Sequence, residues 1–93
     1  VSQSTVGVFD ASTPWMLSDQ VSLRDEAFGA LAYHHGNRRL VFLKSPELVT
    51  LVRRLEEFAS ADEAIDAVVT PKEHLRYVKA LSSLAVSGIL SGR

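Results

Sequence analysis

The three histidines of this 93-residue chain, His34, His35 and His74, are its first candidates for metal chemistry, and their spacing argues against it. His34 and His35 are adjacent, so on an extended strand their rings point to opposite faces and cannot close on one ion. His74 stands apart, no histidine pair falls at i, i+4, and no cysteine is present to supply a thiolate. Nucleophilic chemistry is no better served. The chain has no Gly-x-Ser-x-Gly elbow, no phosphate-binding loop and no dinucleotide fingerprint. Ser82, Ser83, Ser87 and Ser91 are spaced like the polar face of a helix. These residues predict neither a catalytic group nor a metal or cofactor, and a protein that is not an enzyme.

Charge is the next candidate for function. Arg38, Arg39, Lys44, Arg53 and Arg54 surround a single acid, Glu47, whereas Glu56, Glu57, Asp62, Glu63 and Asp66 follow with no base among them. The lopsided pattern fits either solvated faces or a basic rim that favours an acidic partner. Five cations near a hairpin and a helix also suit a winged-helix DNA-binding regulator, kept as the alternative. A net charge of −1 lacks the electrostatic footprint of a nucleic-acid binder, so no nucleic-acid partner is expected.

The elements that would position these groups follow from pattern and punctuation. Residues 1–14, rich in Ser, Thr and Gly, read as a flexible arm, with the domain spanning 15–93 and Trp15, Met16 and Leu17 as an anchoring cluster. Val21 and Leu23 alternate with Ser22 and Arg24 as a first strand ending at Asp25 and Glu26. Gly29 to His34 and Arg38 to Leu43 form a hairpin around His35-Gly36-Asn37, with Gly36 and Asn37 expected to supply the positive φ of the turn. Ser45-Pro46-Glu47 starts a helix that buries Leu48, Leu51, Val52, Leu55 and Phe58. Ser60 to Glu63 is a capping box opening a short second helix that ends by Val69. Thr70-Pro71-Lys72-Glu73 opens a third, with Leu75, Val78, Leu81, Leu84, Ala85 and Ile89 in helical period. The fold class is α+β: a three-stranded antiparallel sheet followed by three helices.

Length and composition limit what such a domain can do. At this length a single small core leaves about a third or more of the surface exposed, so a deep buried active site is not expected. No apolar run reaches the roughly 18 residues that span a bilayer, and no signal-peptide pattern opens the chain. The expectation is a cytoplasmic protein with no membrane association.

The third predicted strand carries the functional signal. Leu40, Val41, Phe42 and Leu43 are apolar at consecutive positions, so both faces require cover. If this strand is an edge, its outer face and unpaired backbone groups invite either an extended peptide, added as another strand, or a second copy of the chain as a homodimer. An internal position in the sheet is equally compatible with these residues.

The stretch Phe28-Gly29-Ala30-Leu31, through Tyr33-His34 to Leu43-Lys44, with the helix Ser45 to Leu55 behind it, resembles the peptide chaperones of mycofactocin biosynthesis. These are RiPP recognition elements, winged-helix-like domains related to the pyrroloquinoline quinone peptide chaperone, and the resemblance runs from about Trp15 to Leu90. It implies a non-catalytic protein that binds the leader of a ribosomally made precursor peptide and presents it to a radical S-adenosylmethionine (radical SAM) maturase. It further implies a peptide-binding groove between the third strand and the third helix. Arg39, Leu40, Val41, Phe42 and Leu43 would form one wall. Leu75, Arg76, Val78 and Lys79 would form the other. The maturase would carry the iron–sulfur cluster, which this cysteine-free chain cannot ligate through thiolates.

Overall fold

In the computed structural model, which describes residues 9–93, the elements in chain order are β1 (Trp15–Leu17), β2 (Val21–Glu26), β3 (Gly29–His34), β4 (Leu40–Leu43), α1 (Pro46–Arg54), α2 (Ala61–Val68), α3 (His74–Val86) and β5 (Leu90–Gly92). Short 3-10 turns, Leu55–Glu57 and Pro71–Glu73, follow α1 and precede α3. The expected three-stranded antiparallel sheet is present in the order β2-β3-β4. Two strands were not expected: β1 and β5 pair antiparallel as a separate ribbon, Trp15 opposite Gly92 and Leu17 opposite Leu90.

Alternation decides the faces of the larger sheet. Ala30, Ala32 and Leu43 are fully buried with Val41, Val21 and Leu23 packed beside them, so one face of all three strands meets the core. The other face carries the row Ser22–Tyr33–Leu40 and the row Arg24–Leu31–Phe42, set by the register of the two ladders. Gly29, at φ +148°, lets the β2–β3 turn press against the Leu43 carbonyl, where any Cβ would collide with the oxygen.

The β3–β4 turn corrects one expectation. Positive φ falls on Arg38 (φ 63°) and not on Gly36 or Asn37. Four residues lie between His34 and Arg39, whose ends are tied by His34 N–H to the Arg39 carbonyl at 2.9 Å and by Arg38 N–H to the His34 carbonyl at 2.8 Å. The His34 ring closes the loop from inside, its Nδ1 accepting from the amides of Gly36 (3.0 Å) and Asn37 (3.1 Å). Asn37 Oδ1 accepts from Arg39 N–H at 2.9 Å.

α1 and α2 each begin with a side chain that satisfies an otherwise orphaned amide, whereas α3 does not: Thr70, expected as its N-cap, makes no side-chain cap bond, and the 3-10 turn Pro71–Glu73 leads into the helix instead. Ser45 Oγ accepts from Leu48 N–H at 3.0 Å, and Ser60 Oγ from Glu63 N–H at 3.2 Å. The lead-in contributes as well: the carbonyls of Thr13 and Ala11 accept from Ala61 and Asp62 N–H at the start of α2. Phe9 stacks on Trp15 with ring centroids 4.9 Å apart, and Trp15 Nε1 donates to the Asp10 carbonyl at 2.9 Å. The first eight residues of the expected arm lie outside the described residues.

The core joins the sheet to the helices through Leu43, Leu51, Leu55, Ile65, Leu81 and Ile89, all fully buried. α1 buries Val49, Leu51 and Val52, with Leu48 and Phe58 half-buried. α3 departs from the expected pattern. It buries Tyr77, Leu81 and Leu84, leaves Leu75 exposed, and ends at Val86 ahead of Gly88 (φ +83°). Ile89 therefore enters the core from beyond the helix, where the backbone has turned into β5.

Candidate peptide-binding edge

β4 is an edge strand, which rules out the internal position. The His34–Arg39 bond fixes which backbone groups it leaves open. Hydrogen-bonded pairs alternate in an antiparallel ladder, so Ala32 opposite Val41 and Ala30 opposite Leu43 exchange bonds, and the N–H and C=O groups of Leu40 and Phe42 point away from β3. The same two residues expose their side chains: Leu40 and Phe42 are each 53% accessible, while Val41 and Leu43 turn inward. Strand β4 thus covers only one face, contrary to the reading of four consecutive apolar residues as buried on both. The Phe28 ring, also exposed, meets Phe42 at 5.8 Å between centroids.

α3 is held opposite this edge at two points. Near the hairpin tip, Asn37 Nδ2 donates to the Ser87 carbonyl at 3.3 Å. At the other end, the Tyr77 hydroxyl and Ser45 Oγ hydrogen-bond at 3.1 Å, joining α3 to the N-cap of α1. At this second tie, just past the end of β4, lies an open depression of about 190 Å³ lined by Lys44, Ser45, Leu48, Arg76, Tyr77 and Ala80. Arg76, Ala80 and Ser83 follow at spacings of four and three, so they share one helix face, and two of them are too small to obstruct an approaching backbone. A second depression of about 430 Å³ adjoins the first through Ser45, Arg76 and Tyr77, and is completed by Glu47, Val68, Val69, Thr70 and Glu73.

The expected site residues divide accordingly. Leu40 and Phe42 carry the free edge; Arg39 O, Val41 and Leu43 spend their backbone groups on β3, and Arg39 N–H on Asn37. Arg76 lines both depressions. Leu75 is 64% exposed and Lys79 exposed, neither lining these depressions, and Val78 packs against the core. Tyr77, Ala80, Lys44, Ser45 and Leu48 line the depression nearest the edge without having been singled out for it. Tyr77 lies outside the Leu/Val/Ile/Ala period used to read α3, and its i, i+4 spacing to Leu81 was the available signal.

The basic cluster is partly neutralised in place. Arg53 pairs with Asp25 at 2.9 Å, and Arg54 pairs with Glu57 at 3.2 Å while lying over the Phe58 ring. Among the described residues Arg38, Arg39, Lys44 and Lys79 form no ion pair, and Arg76 reaches Glu73 only at 3.5 Å. Of the unpaired cations, Arg39 and Lys44 flank β4, Arg38 lies in the hairpin turn, and Lys72 and Lys79 lie on the turn before α3 and on α3.

The histidines are structural. His34 caps the hairpin loop, His35 Nε2 lies 2.7 Å from Ser22 Oγ, and His74 sits between Asp66 (Nδ1, 2.9 Å) and Asp62 (Nε2, 2.9 Å) on α2. The Asp66 hydrogen bond chiefly, then the bond to Asp62 and the charges of both acids, raise the His74 pKa above 6.5 against an opposing desolvation. No group of three or more metal-ligating side chains is assembled among the described residues, and no helix there is long and apolar enough to cross a membrane.

Comparison with known proteins gives one family. The model of the peptide chaperone MftB family matches residues 14–91. Peptide chaperone MftB of Mycobacterium ulcerans is 44% identical over 85 residues, covering 90% of this chain and 78% of that protein. The proteins of the same name from Mycolicibacterium smegmatis and Mycobacterium tuberculosis are each 40% identical, covering 88% and 91% of this chain and 81% and 79% of their own lengths. No solved structure matches the chain.

Proposed function

The chain belongs to the peptide chaperone MftB family, and from that premise we propose that it binds the leader of a ribosomally made precursor peptide by strand addition to β4 and presents it to a radical SAM maturase in mycofactocin biosynthesis. The observation that carries the reading is the open backbone of Leu40 and Phe42 on an edge strand, with a depression shared by α1 and α3 just past the strand's end. An added strand would gain directed hydrogen bonds there without displacing any existing one.

The chain's part is binding and placement. Holding the leader next to the maturase raises the effective concentration of the segment to be modified, and the chemical step belongs to the partner. The unpaired Arg39, Lys44 and Lys79 favour an acidic leader through on-rate and orientation more than through net affinity. The edge would also accept a second copy of the chain when no peptide is present, and leader binding would then dissolve that dimer.

Titration of a fluorescently labelled acidic leader peptide against the purified chain tests the reading. Saturable binding at micromolar protein is expected, and its absence would sink the proposal.

A further inference from the structure

We infer that the segment received by β4 alternates in chemistry: apolar side chains at the two positions opposite Leu40 and Phe42, and acidic side chains at the alternate positions, which turn to the side of α3. This inference rests on the strand-addition reading above and specifies what kind of segment fits.

Register supplies the first half. Leu40 and Phe42 hold the open backbone groups, so in an antiparallel addition they form the hydrogen-bonded pairs with the incoming strand. Residues directly opposite one another in a sheet place their side chains on the same face. The two incoming residues therefore extend the rows Ser22–Tyr33–Leu40 and Arg24–Leu31–Phe42, each of which reaches the open edge on an apolar side chain. Phe28 backs Phe42 from the turn side with its ring centroid 5.8 Å away, leaving the edge-facing side of Phe42 to be covered. Polar residues at these two positions would leave Leu40 and Phe42 wet; large aliphatic or aromatic ones would bury them.

Charge supplies the second half. The alternate incoming residues lie opposite Val41 and Leu43 and point, as those two do, to the other face of the sheet, the side on which α3 packs. Just past Leu43 on that side, the depression at the end of β4 holds Lys44, which forms no ion pair among the described residues, and Arg76, whose only pairing there is the 3.5 Å approach to Glu73. A carboxylate at the alternate position nearest the end of β4 approaches these two cations. A basic residue there would face like charge.

Two synthetic peptides of identical composition test this, one alternating leucine and aspartate and the other with its leucines and aspartates grouped in pairs, each labelled and titrated against the chain and against Phe42→Ser. The expected result is that the alternating peptide binds about tenfold or more tightly than the paired one, and that Phe42→Ser removes most of that difference. Because Phe42 projects into solvent, the variant keeps the fold, which its circular dichroism checks. Equal affinity for the two peptides, or an unchanged preference in Phe42→Ser, overturns the inference while leaving strand addition standing. Binding of the natural leader but of neither synthetic peptide overturns it also. If the natural leader fails to bind as well, strand addition itself falls.

Discussion

Both ring nitrogens of His74 lie 2.9 Å from carboxylate oxygens, so the doubly protonated ring is the form held between α2 and the start of α3. Its folded pKa is raised above the unfolded value near 6.5. The stability this adds is therefore fully present below 6.5 and lost as pH rises through the folded value. The melting temperature gap between the chain and His74→Gln should be widest below 6.5, above the carboxylate range, and should close at alkaline pH; a gap independent of pH would contradict the assignment. Ser45 has two tasks, capping α1 and meeting Tyr77. Ser45→Ala should cost about 1 kcal/mol by denaturant unfolding, and Tyr77→Phe about the same for its lost hydroxyl bond. Residue types announced the Ser45 cap in the sequence because capping is local. The partners of His74 and Tyr77 were not legible, since their contacts are separated by a dozen and by 32 residues.

At the scale of elements, the free and the engaged positions of β4 make opposite predictions for proline. Leu40 opens the strand with its N–H toward solvent, a position where an edge strand tolerates proline. Leu40→Pro should keep the melting temperature close to that of the parent and weaken leader binding. Val41→Pro removes a donor to β3 and should lower stability by at least about 1 kcal/mol whatever its effect on binding. A melt of each variant alongside a leader titration checks both. Gly29→Ala, at φ +148° against the Leu43 carbonyl, should destabilise the β2–β3 turn more than either, seen as the lowest melting temperature of the set. The hairpin strands, the starts of α1 and α2 and the end of α2 were legible because alternation, caps and Pro–Gly punctuation act over a few residues, whereas the box read at Thr70 forms no cap and opens a 3-10 turn ahead of α3. The ribbon of β1 and β5 was not: each strand is three residues long, and Ile89 prolonged the helical period past the Gly88 turn. The turn position at Arg38 was hidden for a related reason, because the His34 ring and Asn37 side chain hold the loop and transfer the positive φ to its last residue.

At the scale of the whole molecule, the two ends of the described chain meet in the β1–β5 ribbon, and Arg93 closes it by donating to the carbonyls of Glu56 and Phe58 behind α1. The helices are thereby fixed around the sheet, and α3 is tied to the hairpin at Asn37 and to the N-cap of α1 at Ser45, so the edge of β4 and α3 hold a preset relation. The proposed strand addition has a signature written in the backbone register of β4. Amide hydrogen exchange resolved by residue, with and without saturating leader peptide, reads that signature most directly. Strand addition predicts that the amides of Leu40 and Phe42 become strongly protected on binding, while those of Val41 and Leu43, already paired with β3, change little. Saturable binding with Leu40 and Phe42 still exchanging freely would contradict the account.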